Sequence, residues 1–262
     1  MHADAREVKV SWDLLRSVQE RTDTRLIIPF GLEIRIGDVI RVDPNGEFTL
    51  EGSTSSVLGV PRPSSKDIRD GRAVDLADMF GKGATRTFRV EGEASTLFPD
   101  LPSATAGFDI SFNSANSWLL ALTGRNIRSF TEVDRYRKPI LDAYGRGVWR
   151  RDWALVTTVA YADRMTLLAA SSSATRVALS LAATVTAASP LSAQLTAGAS
   201  IAASNNELTQ CITDTPGPVG CRALRVRDRW WRPTDVGDLS ELAADDKVED
   251  PSYTDFWQDI DD

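Results

Sequence analysis

The sequence predicts an α+β fold, a largely antiparallel twisted β-sheet with a few peripheral helices, and three observations predict it. Apolar and polar residues alternate with a period of two through most of the chain from Arg25 onward. Helical spacing without a competing alternation is found in three short stretches, at 11–22, 72–80 and 129–144. Clusters of Gly, Pro, Asn, Asp and Ser punctuate the alternating runs, as turns between short strands do. With 262 residues and 42% hydrophobic content, the chain is long enough to bury a sizeable core. We expect a single body over 1–234 followed by an acidic C-terminal segment over 235–262.

The elements follow in order. Ser11 is placed as an N-cap for a helix to Thr22 that carries Trp12, Leu14, Leu15 and Val18 on one face. From Arg25 to Val60 the pattern is a strand meander: Leu26-Ile27-Ile28, then Leu32, Ile34 and Ile36, then Val39-Ile40-Arg41-Val42. Asp43-Pro44-Asn45-Gly46 marks a tight turn, and Glu47 to Leu50 continues as a strand. Val74, Leu76, Met79 and Phe80 form a helical stripe closed by Gly81 and Gly83, which predicts a short helix. Strands are expected at 86–91, at 107–112 and at 118–123, with 113–116 as a loop. Ser129 caps a helix to Tyr144 in which Pro139 sits at an interior position, so a kink is expected there. The nearly all-apolar run 153–161 reads as a strand buried on both faces, and 165–170 returns antiparallel to it. Strands at 208–212 and 223–231 close the chain, flanking the turn Thr215-Pro216-Gly217-Pro218.

One stretch stands apart. Residues 177–206 contain no charged side chain, although the chain as a whole is 26% charged. Val177, Leu179, Leu181, Ala183 and Val185 alternate with small polar residues before Pro190, and Leu191, Ala193, Leu195, Ala197, Ala199 and Ile201 do so after it. This is the pattern of an amphipathic hairpin whose arms, about ten residues each, match a tilted strand crossing a bilayer. Val177, Leu181 and Val185 also fall at helical spacing, so a helix broken at Pro190 is the competing reading. The membrane-hairpin candidates are Val177, Leu179, Leu181, Val185, Leu191, Leu195 and Ile201.

Charge is distributed unevenly. Residues 235–262 hold eleven acidic residues and one lysine, a net −10, so the remainder of a chain of net −7 is mildly basic at +3. Two segments mix arginine with tryptophan: Arg146, Trp149, Arg150 and Arg151 in one, and Arg222, Arg225, Arg227, Arg229, Trp230 and Trp231 in the other. Arginine offers paired donors to phosphate, and tryptophan favours the boundary between water and acyl chains, so these are the candidate lipid-binding residues. Nucleic acid attracts the same side chains but is the less expected partner.

The residue inventory argues against most catalysis. His2 is the sole histidine, which leaves no placed imidazole for a Ser-His-Asp or Cys-His site or for most catalytic zinc sites. No phosphate-binding or dinucleotide-binding glycine motif occurs. We expect no enzyme, no metal and no cofactor, with paired-carboxylate chemistry the one route left open. Cys211 and Cys221, ten residues apart around a turn, face each other if those strands form a hairpin, and two reduced thiols are the expected state. The N-terminus has no apolar signal core, and no run reaches the length of a membrane helix, so the expected starting location is cytoplasmic.

Three segments resemble the pore-forming domain of gasdermins, including their compact bacterial and fungal relatives. Val42-Asp43-Pro44-Asn45-Gly46-Glu47-Phe48 looks like an early Val-x-Asp-x-x-Gly-Asp segment of that family. Trp153-Ala154-Leu155-Val156-Thr157-Thr158-Val159 is similar to its Tyr-Val-Val-x-Glu-Val strand, and Pro218 to Val226 to its closing Ile-Pro-x-Gly-x-x-Leu-Ala-Phe-Arg-Val strand. The resemblance implies a soluble protein that oligomerises on membranes and converts hairpins into a transmembrane barrel once an inhibitory C-terminal segment is removed. The implied partners are anionic membrane lipids, an activating protease and further copies of the chain, with movement from the cytoplasm to the inner face of the membrane. A non-catalytic, β-rich oligomeric binding module, whose acidic tail recruits a basic partner, is the alternative.

Overall fold

The computed structural model describes residues 12–43, 46–71, 78–89, 107–173, 175–180, 200–203, 208–213, 215–227 and 235–238. The fold is α+β and mostly antiparallel. In chain order the principal elements are α1 (Trp12–Thr22), β1 (Arg25–Leu26), β2 (Asp38–Val42), β3 (Phe48–Ser53), β4 (Ile68–Asp70), β5 (Asp78–Lys82), β6 (Ala84–Arg89), β7 (Gly107–Phe112), β8 (Ser117–Thr123) and β9 (Asn126–Phe130). They continue with α2 (Arg137–Gly145), β10 (Trp153–Ala162), β11 (Arg164–Ala170), β12 (Arg176–Ser180), β13 (Ser200–Ala203), β14 (Leu208–Thr213), β15 (Gly217–Arg227) and β16 (Asp235–Asp238). The chain forms two compact units that interleave in sequence.

One unit gathers 22–73, 126–161 and 217–262. Its sheet runs β1-β15-β10-β2-β3, with β16 paired to β15, and β9 joining β10 and β4. The run 153–161 is central, and its interior residues are buried on both faces, as its continuous apolar composition requires. Ile40, Val39, Leu155, Val156, Val159, Leu224 and Val226 form the core with Tyr136 and Ile140 from the helical side. The helix expected over 129–144 begins later, because 126–130 is taken up as β9 in register with β10, Thr158 opposite Ser129. A 3-10 turn over Val133–Tyr136 then leads into α2. Pro139 therefore lies in the first turn of α2, where no N–H is needed, and the expected interior kink has no cause. Arg25 is buried in this unit with its guanidinium 5.6 Å from the centre of the Phe48 ring. Burial pushes it down to about 9, against the opposing pull of Cys221 and Asp43.

The other unit gathers 1–21, 74–125 and 162–216. Leu14, Leu15 and Val18 of α1 are buried, as their spacing demands, and Trp118 Nε1 donates to Ser17 Oγ at 3.0 Å, tying the helix to β8. Two four-stranded sheets carry the rest, one ordered β14-β11-β8-β5 and the other β13-β12-β7-β6. The order is the same in both, since β5 leads into β6, β7 into β8, β11 into β12 and β13 into β14. The residues between the two sheets form a seam, described at 83, 113–116, 171–173 and 175. The expected helix at 72–80 is corrected here: residues 78–80 belong to strand β5, with Phe80 opposite Leu120. Pairing with an all-apolar neighbour strand outweighed a helical stripe only four residues deep. The rest of that stretch, 72–77, lies outside the described residues.

The seam is polar. On one strand it holds Asn113, Ser114, Ala115 and Asn116, and Asn116 adopts φ 62. On the neighbouring strand it holds Ser171, Ser172, Ser173 and Thr175. Ser114 and Ser117 share a hydroxyl contact of 3.0 Å, and Ser172 and Thr175 one of 3.2 Å. Gly83, at φ 65, is the seam residue between β5 and β6, and its carbonyl accepts from Asn113 N at 2.8 Å. A side chain at Gly83 would collide with Ser117 Oγ.

Candidate functional site

The first basic-aromatic segment is a loop at the C-terminus of α2. Arg146 Nε donates to the Asp142 carbonyl at 3.2 Å, a favourable position for a cation at a helix C-terminus. Gly147 turns the chain at φ 72, and the N–H groups of Val148 and Trp149 both donate to the Ala143 carbonyl, at 2.9 and 3.1 Å. Trp149 is buried and meets Trp153 edge to face with centroids 5.9 Å apart. Its ring anchors the loop from beneath, so among the four lipid-binding candidates here it offers no surface. The anchor leaves Arg146, Arg150 and Arg151 exposed around Val148, which is 46% exposed. Arg150 is partly neutralised by Asp152 at 3.2 Å.

The second basic segment is engaged within its own unit. Arg222 donates from Nε to the Asp23 carbonyl at 2.7 Å and forms an ion pair with the Asp23 carboxylate. Arg225 is half-buried in β15, and Arg227 stands opposite Asp235 of β16, with Val226 opposite Val236. The first residues of the acidic segment are therefore an edge strand on the basic one. Arg229, Trp230 and Trp231 lie outside the described residues.

Of the uncharged stretch, the two ends are described, and both are strands. Val177 is buried; Leu179 pairs with Ile201 and Val177 with Ala203 in antiparallel register. That pairing favours strands over the broken helix at these positions. Leu181, Val185, Leu191 and Leu195 lie outside the described residues. The structure adds a second hairpin that sequence reading did not assemble, because the helix expected at 72–80 concealed it: β6 pairs with β7, Phe88 opposite Phe108, and β7 pairs with β12. Cys211 and Cys221 do not share a hairpin. Cys211 pairs with Leu167 in one sheet and Cys221 with Arg25 in another, and both are free thiols.

Asp38 is given no role by the sequence alone. It is buried, accepts from Arg35 N at 2.8 Å and pairs with Arg62 at 2.7 Å. Burial raises its pKa above the ordinary 3.8, and the neighbouring N–H and arginines only partly offset this. A lone carboxylate flanked by exposed arginines gave no pattern along the chain. Among the described residues, no three His, Cys, Asp or Glu side chains converge as a metal site, and no helix is long and apolar enough to cross a membrane.

The chain is similar in structure to a bacterial gasdermin. The match is to a protein from Bradyrhizobium tropiciagri, at 15% identity and a TM-score of 0.35, covering 86% of this chain and 90% of that one. No family model and no curated protein matches the sequence.

Proposed function

We propose that the protein permeabilises membranes: its two hairpins, 78–123 and 164–213, extend into anionic bilayers and close into a barrel as copies assemble edge to edge. The observation that carries this reading is the shared strand order of the two four-stranded sheets, whose shared arm includes the start and end of thirty residues without a charge. Among the described residues no strand covers the outer edges, 78–89 on one side and 200–213 on the other. Lys82, Arg86 and Arg89 stand on the first edge, charges of the kind that keep an open edge from pairing prematurely. Anionic lipid would neutralise them, together with Arg146, Arg150 and Arg151. The acidic segment 235–262, beginning as β16 on β15, holds the protein inactive until a protease removes it. The protein then moves from the cytoplasm to the inner face of the membrane.

The test is leakage from dye-loaded vesicles. Full-length protein with a protease site engineered between Arg232 and Asp235 is expected to empty anionic vesicles after cutting and to leave them sealed before it. Vesicles that stay sealed after complete cutting rule out the pore. A defined oligomer in the uncut protein without lipid would instead favour the binding module.

A further inference from the structure

The seam reverses the faces of the strands that cross it. Ile110, Phe112 and Val177 on one side form a continuous apolar cluster with Leu119, Ala121, Leu168 and Ala170 on the other. Phe112 and Leu119 are seven residues apart, and so are Ala170 and Val177. In an unbroken strand, residues on one face differ by an even number, so each strand slips by one position at the seam. Pairing between the two strands is unaffected, since Arg176 opposite Ser111 and Ala170 opposite Ser117 belong to one continuous register. The left-handed Asn116, at φ 62, is the slip on one strand, and Gly83, at φ 65, is its counterpart on the next.

Restoring regular strands would exchange the partners across the seam. Phe112 would then share a face with Trp118, Leu120 and Leu122, and Val177 with Ala169, Leu167 and Met165. All six of those sheet residues are buried in the present fold, on the face where Trp118 bonds to Ser17 of α1. The other face would collect Asp109, Arg164 and Arg176, the only charged residues in 107–123 and 164–180. A strand pair with every charge on one side, joined there by Leu119 and Leu168, and with Phe112, Trp118, Leu120, Leu122, Met165, Leu167 and Val177 on the other has an uncharged, strongly apolar face of the kind a barrel wall turns to lipid.

We infer that the seam is a face-reversing hinge, and that the lipid-contacting surface of the extended hairpins joins Ile110, Phe112 and Val177 to the face of β8 and β11 now turned to α1. This rests on the pore reading above. The apolar face that is continuous today is thereby divided, and α1 must leave β8 for the new face to form.

The hinge is tested with Asn116→Val and Gly83→Val in the cuttable full chain. A β-branched residue disfavours the left-handed backbone that holds the slip, by roughly tenfold in population, and accommodates extended strand. Both variants are expected to empty anionic vesicles about tenfold faster than the parent after cutting. Ile140→Val, in the core of the other unit, is the control for general loss of stability, and Asn116→Thr replaces Asn116→Val if the latter is not monomeric and folded. Rates no faster than the Ile140→Val control overturn the hinge while the pore reading stands. A parent that never leaks overturns the pore reading, and the hinge as a lipid surface with it.

Discussion

Cys211 and Cys221 sit where water is scarce, and the thiolate is the form that burial penalises. Burial pushes Cys211 up to about 11 and Cys221 up to about 12, the latter despite Arg25 beside it. At pH 8 the thiolate fraction of Cys211 is then about one in a thousand, so alkylation by iodoacetamide is expected to be slow at Cys211. At Cys221 it is expected to wait for unfolding, and mass spectrometry of the alkylated peptides reads both. Asp38 gives a pH signature of the same origin, burial of a group whose charged form is disfavoured. Its folded-state pKa lies above the unfolded value, so the folded state binds its proton more tightly. The stability it contributes is present in full below the ordinary 3.8 and is lost as pH rises through the raised value. Asp38→Asn keeps an acceptor for Arg35 N–H but cannot titrate. In urea unfolding, the gap between wild type and variant is expected to shift in favour of wild type as pH falls through that window, and a gap independent of pH would contradict this.

At the scale of elements, what was legible along the chain depended on whether a segment's neighbours matter. Strands β7, β8, β10, β11 and β14 were readable because alternation or continuous apolar composition is local, and 113–116 was readable as a loop from its Asn and Ser content. The segment at 78–80 was not, since Met79 and Phe80 suit a helix as well as a strand and only the register with Leu120 and Ala121 decides. Pro139 misled for a related reason: a proline signals a break only once the helix start is known, and β9 moves that start. Trp149 looked like a surface group because its flanks are charged, yet the turn at Gly147 sends the indole inward. The join between α1 and β8 was beyond reach of any pattern, as it links residues 101 positions apart. Ser17→Ala removes the acceptor of a buried indole N–H. It is expected to cost about 1–3 kcal/mol of unfolding free energy by denaturant titration. Trp118→Phe in that background is expected to recover part of the loss, since it removes the orphaned donor as well.

For the whole molecule, if the acidic segment restrains the protein as proposed, two separable means are open to it. One is electrostatic, the net −10 of 235–262 against a body of +3; the other is mechanical, β16 occupying the edge of β15. Screening reaches only about 8 Å at physiological salt, so charge alone restrains weakly over distance, whereas β16 is paired to β15 over four residues. The two means are separated by where the chain is cut. A site between Arg232 and Asp235 frees β16 as part of a diffusing peptide, which loses the high local concentration that a covalent link provides. A site after Asp238 discards most of the acid and leaves β16 attached. If the strand restrains the molecule, only the first cut is expected to produce leakage from anionic vesicles, at low and at physiological salt alike. If charge restrains it, both cuts release it, and raising the salt concentration releases the uncut chain as well. In protein released by the first cut, Leu179→Asp or Leu195→Asp is then expected to abolish leakage with the monomer still folded by circular dichroism. A charge facing lipid near the bilayer centre costs about 2–4 kcal/mol per copy, and an assembly multiplies that by its number of subunits.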